Sequence, residues 1–177
     1  MSEILKNMMP EIIENNIKGK KIEIIFEELL NGKANEAQIG AILIAMKIRG
    51  ESVEEITAGV KVLRNNCIKV KTSTNAIDIV GTGGDGKGTL NISTAASFVV
   101  AGAGMPVAKH GNRNLSSLSG SADVLEILGL KLNLSPKKIS ESIQKAGIGF
   151  MMAPNHHPTI KNVMSARKTL GVRTIFN

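Results

Sequence analysis

The sequence predicts an α/β protein: a small helical N-terminal domain, then a domain built on a mostly parallel sheet. Residues 3 to about 70 show helical periodicity only, whereas from about residue 76 short β-prone runs alternate with helices. Two loops rich in glycine and hydroxyl side chains follow the first two predicted strands. Nine of the chain's 18 glycines lie between Gly81 and Gly120. The expected domains are therefore 1–70 and 71–177, the boundary being a change of pattern with no linker composition.

In the helical part, Ile22, Ile25, Phe26, Leu29 and Leu30 fall on one stripe, and Asn31-Gly32 ends that helix. Asn35 and Gln38 are spaced as a capping box, as are Ser52 and Glu55. The helix between them has two apolar faces, Ile39, Ile42, Leu43 and Met46 on one and Ala37, Ala41, Ile44 and Ile48 on the other. Such a helix is either central in its bundle or at a subunit contact. The next helix is expected to turn Val53, Ile56, Val60 and Leu63 inward. No acid–base pair or ligand spacing stands out here.

Ala76-Ile77-Asp78-Ile79-Val80 reads as a strand stopped by glycine. A helix is expected from about Ile92 to Ala101, a strand at Pro106-Val107-Ala108, and a helix from Ala122 to Leu128 ended by Gly129. Ser135-Pro136 opens another helix, closed by Gly147. Residues 148–153 make a strand and 158–170 a final helix. Alternation of this kind implies parallel pairing through crossover connections, with ligands at the carboxyl ends of the strands. Both rich loops leave from those ends.

The bulk properties narrow the class. With 42% hydrophobic and 21% charged residues this is globular composition. A net charge of +7 raises nucleic acid as a partner. The lysines are scattered, however, there is no Trp or Tyr, and all four Phe sit in apolar runs, so stacking platforms are missing. Thr89 to Ala108 carries no charge, but Asn91, Ser93, Thr94, Ser97 and Pro106 break it as a lipid-facing helix. One cysteine, Cys67, gives no disulfide framework and fits a reducing compartment. Neither nucleic acid nor membrane is expected, and the location expected is the cytoplasm.

The first loop, Gly81 to Thr89, nearly fits two phosphate motifs. Gly81-x-Gly83-x-x-Gly86 matches a dinucleotide fingerprint, but the helix opens late and no acid follows where a ribose would need one. Gly81 to Lys87 matches the start of a P-loop, but Gly88 stands where a hydroxyl should hold magnesium. The shared physics survives. Glycines admit phosphate to backbone N–H groups, and a helix N-terminus carrying Asn91, Ser93 and Thr94 favours an anion. Lys109 and Arg113 bring fixed positive charge from the second loop, and Ser116, Ser117, Ser119 and Ser121 add donors.

These residues carry a resemblance. Asp78-Ile79-Val80-Gly81-Thr82-Gly83-Gly84-Asp85 resembles the first signature of the anthranilate phosphoribosyltransferases. Lys109-His110-Gly111-Asn112-Arg113, with Ser116-Ser117 and Ser119-Gly120-Ser121-Ala122-Asp123, resembles the second. His156-His157-Pro158, Ala166-Arg167-Lys168 and Gly171 to Asn177 are similar to a third.

The resemblance implies transfer of a phosphoribosyl unit from phosphoribosyl pyrophosphate (PRPP) to the amine of anthranilate, with Mg2+ as cofactor. By motif, Gly81, Gly84, Asp85, Thr89, Asn91, Ile92, Ser93, Thr94, Lys109, His110, Gly111, Asn112, Arg113, Ser116, Ser117 and Ser121 would hold PRPP. Ser93 would be the metal ligand, and Gly81, Asn112 and Arg167 would meet anthranilate, whose side His156 and His157 would shape. His110 is the candidate to manage a proton, the alternative being a hydrogen-bonding spacer. The resemblance further implies a homodimer through the N-terminal helices and a chain of about twice this length. The α/β domain is therefore expected to be cut short at its C-terminus and to pair with a complementary C-terminal chain. Two other readings stay open: a non-catalytic PRPP-binding fragment or scaffold, and a pyrimidine nucleoside phosphorylase relative, which shares the architecture and a related second loop.

Overall fold

The computed structural model describes residues 1–72, 75–81, 90–113 and 120–176. They form two compact units. One comprises residues 1–67 and 157–177, the other residues 68–156. Compactness thus divides the chain differently from the change of sequence pattern near residue 70, because the tail expected in the α/β domain buries its apolar side chains in the helical unit.

The helical unit contains α1 (Glu3–Ile13), α2 (Lys20–Leu30), α3 (Glu36–Arg49) and α4 (Val53–Asn66). After the α/β unit, a 3-10 turn (Pro158–Ile160) and a last helix, α9 (Lys161–Leu170), rejoin it. The predicted α2 stripe is wholly buried, as are Ile39, Ile42, Leu43 and Met46 of α3. Val163 and Ala166 of α9 join this core. Asn162 donates to the carbonyl of Leu30 at 2.7 Å, satisfying an orphan group at the end of α2, and Phe176 meets Phe26 edge-on at 6.0 Å between centroids.

Both predicted capping boxes are present, Asn35 with Gln38 and Ser52 with Glu55. Gln38 also holds the start of the chain. Its side chain accepts the N–H of Ser2 at 3.0 Å and donates to the Ser2 carbonyl at 2.7 Å.

For this unit one of two alternatives falls away and one expectation changes. The second face of α3 is not central: Ala37 and Ala41 are exposed and Ile48 is 82% exposed. Helix α4 is rotated from its predicted orientation. Val53 is 80% exposed and Ile56 and Val60 about half, while Glu55, Ala58, Gly59 and Val62 face inward. The cause is close helix packing. A methyl group at Gly59 would meet Phe26 Cε1 at 3.1 Å, so only small residues let α4 lie this near α2. Glu55 is admitted because the Arg49 guanidinium pairs with it through both terminal nitrogens, one at 3.0 Å.

In the α/β unit, α5 (Ile92–Gly102), β1 (Val107–Gly111), α6 (Ser121–Ile127), α7 (Pro136–Ala146), β2 (Ile148–Met152) and α8 (Ala153–His156) follow in order. Strands β1 and β2 pair in parallel from Val107↔Ile148 to Gly111↔Met152. The run expected as a first strand contributes one parallel bridge, Ile77 to Val107. Helices α5 and α7 pack on this ribbon. At Gly149 a methyl would meet Ile143 Cγ1 at 2.7 Å and the Ile139 carbonyl at 3.0 Å, so glycine sets how closely α7 covers β2. The unit begins and ends at one clasp: Ile68 donates to the His156 carbonyl at 2.8 Å, and His156 Nδ1 lies 2.8 Å from the Ile68 carbonyl oxygen. His156 is thus committed to a structural bond. Among the described residues no cluster of His, Cys, Asp or Glu can hold a metal, and no helix is long and apolar enough to cross a membrane.

Candidate active site

Parallel pairing puts the bases of both loops side by side. Ile77 donates to the Pro106 carbonyl and accepts from Ala108, each at 2.9 Å, so Asp78 and Ile79 run beside Lys109 and His110. Gly81 and Asn112, where the two loops begin, therefore leave from the carboxyl end of the ribbon, as the alternation of elements predicts. Gly84, Asp85, Thr89, Ser116 and Ser117, with Ser119, lie outside the described residues. The flanks of the second loop are joined: Asn112 accepts from the Ala122 N–H at 3.2 Å and from Ser121 Oγ at 3.4 Å.

The N-terminus of α5 differs from those of α1 to α4. Each of those four has glutamate in its first turn, whereas α5 has no acid there. The partial positive charge of its first turn is therefore not offset by a carboxylate of its own. Ile92 is exposed and Asn91 and Ser93 are half-buried there, while Thr94 is buried and its Oγ1 has no hydrogen-bond partner among the described residues. An orphan hydroxyl behind an uncompensated helix end suits an anion with several acceptor oxygens.

The expected fixed charges are placed otherwise. Lys109 is 2% exposed, and its Nζ donates to the Ile79 carbonyl at 2.6 Å. Burial pulls its pKa below the ordinary value, a shift that Asp78 partly opposes. Strand alternation explains this: Val107 and Lys109 share the covered face of β1, and the next residue, His110, has the other. Arg113 is spoken for as well, pairing with Asp123 at 3.2 Å and Glu126 at 2.7 Å. The Glu126 hydrogen bond raises its pKa, and the same bond lowers that of Glu126. Among the described residues, the positive field on this edge therefore comes from backbone dipoles more than from unpaired cations.

Gly111 sits where β1 meets α6. A methyl there would overlap Ser121 Oγ and approach Phe150 Cε2 to 2.9 Å. Arg167 belongs to α9, in the helical unit, half-buried, with its pKa lowered by desolvation and Nη1 3.6 Å from Met164 Sδ. The sequence reading gave Asp78 no role. Its carboxylate takes the His110 N–H at 3.2 Å and also pairs with His110 Nδ1.

Comparison with known proteins gives this combination of helical unit and parallel ribbon a class. Residues 3–67 match the helical bundle domain of the glycosyl transferase family and residues 73–177 match its a/b domain. The chain belongs to that family. Within it, the chain is 57% identical over 152 residues to the anthranilate phosphoribosyltransferase of Bradyrhizobium sp. strain ORS 278, covering 86% of this chain and 45% of that protein.

Solved structures agree. The anthranilate phosphoribosyltransferase of Thermus thermophilus superposes with a TM-score of 0.88 at 38% identity, over 95% of this chain and 52% of that one. The Saccharomyces cerevisiae enzyme, solved with PRPP and Mg, gives 0.85 at 25% identity, over 99% and 53%. The chain spans about half the length of the relatives it matches.

Proposed function

We propose that this chain carries the PRPP-binding loops of an anthranilate phosphoribosyltransferase, which moves the 5-phosphoribosyl group to the amine of anthranilate and releases pyrophosphate. The observation that carries the reading is the α5 N-terminus, with no acid in its first turn and, behind it, a Thr94 hydroxyl without a partner among the described residues, at the first of two loops rooted side by side. The high identity to anthranilate phosphoribosyltransferases supports the choice of substrates. By motif, Gly81, Asn91, Ile92, Ser93, Thr94, His110, Gly111, Asn112 and Ser121, with the loop residues Gly84, Asp85, Thr89, Ser116 and Ser117, hold PRPP, and Lys109 and Arg113 join them on exchanging their present partners, the Ile79 carbonyl and the Asp123 and Glu126 carboxylates. Gly81 and Asn112 also meet anthranilate, and the assignment of its carboxylate to Arg167 rests on the motif alone.

The donor set fits Mg2+. Ser93 offers one hard oxygen in the first turn of α5, and magnesium keeps several waters and substrate phosphates instead of a full protein cage. When bound, the ion neutralises charge on the departing pyrophosphate. The protein's own part is to orient the diphosphate with helix and loop N–H groups and to place the weakly nucleophilic arylamine.

The test is loss of anthranilate fluorescence with PRPP and Mg2+, measured on this chain alone and joined to the further half its relatives carry. Turnover in the joined form supports the reading. PRPP binding without turnover in either form would favour a non-catalytic binding module. Ser93→Ala is expected to weaken Mg2+-dependent PRPP binding about tenfold or more, the size of one lost charge-assisted hydrogen bond or contact. Unchanged affinity by calorimetry would remove Ser93 from the site.

Self-association through the helical unit is part of the same proposal. Ile48, Val53, Ile56 and Val60 are large, apolar and exposed on α3 and α4. Ile48→Glu is expected to shift a dimer towards monomer at micromolar concentration in analytical ultracentrifugation, and an unchanged distribution would place the contact elsewhere. The lone thiol, Cys67, suits a cytoplasmic setting.

A further inference from the structure

We propose that Asp78 is a positioning residue that fixes the ring orientation and tautomer of His110, making Nε2 the proton acceptor for the incoming amine. The inference rests on the phosphoribosyl transfer proposed above and adds to it a residue and a proton path.

The geometry is two-pronged. One carboxylate oxygen of Asp78 takes the backbone N–H of His110 at 3.2 Å, and the other pairs with Nδ1 of the same residue. A carboxylate has acceptors only, so the ring nitrogen facing it carries the proton. Nε2 then holds the lone pair, the state in which a neutral imidazole can take up a proton. Three backbone features keep the pair in place. Ile77 is bridged to Val107, His110 lies within β1, and the Lys109 ammonium grips the Ile79 carbonyl just beyond Asp78. The neighbouring cation reaches this segment from the opposite face of β1, so it does not compete for the carboxylate oxygens.

The half-exposed His110 stands two residues before Asn112, at the mouth of the second loop, where the amine acceptor is proposed to arrive. In the transfer, the nitrogen lone pair forms the new bond to the ribose anomeric carbon. The carbon–oxygen bond to pyrophosphate breaks, and its electron pair leaves with pyrophosphate. The surplus N–H proton passes to His110 Nε2 and from there to solvent. Nothing is oxidised or reduced.

The experiment is nitrogen-15 NMR of the imidazole ring combined with steady-state kinetics, on the wild type, Asp78→Asn and Asp78→Ala. Asparagine keeps the shape of the side chain but turns one acceptor into a donor, so both contacts to His110 cannot survive. The expected result is a ring protonated at Nδ1 in the wild type and a marked loss of that tautomer in both variants. In the active form kcat should fall at least tenfold, with a smaller change in KM for PRPP and melting temperatures close to the wild type. An unchanged tautomer in both variants overturns the positioning role. A lost tautomer with unchanged kcat overturns its use in proton transfer. If the wild type shows no transfer in any form, the functional reading fails, while the ring spectra still decide whether Asp78 sets His110.

Discussion

Replacing Glu55 by alanine is expected to destabilise the helical unit by about 3–5 kcal/mol, the cost of stripping one partner from a buried ion pair. Glu55 is 1% exposed, Arg49 beside it is largely buried, and the carboxylate also accepts the Ser52 N–H at 2.9 Å. Removal therefore leaves a buried guanidinium without its counter-charge and takes away the Glu55 half of the α4 capping box, while Ser52 Oγ keeps the backbone N–H of residue 55. Urea unfolding should show a lower midpoint with an unchanged slope, and a loss below about 1 kcal/mol would mean that water reaches Arg49 freely.

The same pair gives a pH dependence. Burial alone pushes the Glu55 carboxyl up, but the Arg49 bond and the Ser52 bonds together pull it below its ordinary 4.5. A depressed carboxyl stabilises fully above the unfolded value. That contribution is lost as pH falls from about 4.5 through the lower folded value, and it is absent in Glu55→Ala.

Gly111→Val is expected to damage both stability and ligand binding. Its side chain would occupy space held by Ser121 Oγ and Phe150. Overpacking of this kind costs about 1–3 kcal/mol, and in a chain of this size each kcal/mol lowers the melting temperature by about 2–4 °C. Displacing Ser121 also loosens its bond and that of Ala122 to Asn112, which hold the two flanks of the second loop together. PRPP affinity should therefore fall by more than the stability loss explains. Gly102→Ala is the control, since a methyl there meets nothing within 4 Å. Equal behaviour of the two variants in calorimetry and thermal melts would show that the loop base is not rigid.

Much of the architecture was legible because it is written in short-range chemistry. Caps at Asn35 and Ser52, the terminator Gly147 and the α2 stripe depend on neighbours three or four residues away, and all are as expected. The rotation of α4 was not legible, since periodicity counts apolar side chains and takes no account of Gly59 as the surface that fits against Phe26. Nor does it foresee that Arg49, on the preceding helix, makes burial of Glu55 tolerable. Within the site, residue types announced an anion, but not where the charges go. The inward course of Lys109 follows from alternation along β1, whose register only tertiary pairing sets. The Asp78 contact with His110 needs the bridge of Ile77 to Val107, between residues far apart in sequence, so one sequence could not supply it.

The clasp between Ile68 and His156 has a topological consequence. The polypeptide enters and leaves the α/β unit at a single point, so that unit is an insertion within the helical one, whose C-terminal helix is made only after the excursion. Pinned ends make the excursion's length nearly irrelevant to its neighbours, since closure entropy grows only with the logarithm of loop length. Such a graft can change its loops, and hence its chemistry, without renegotiating the packing of the bundle that carries it.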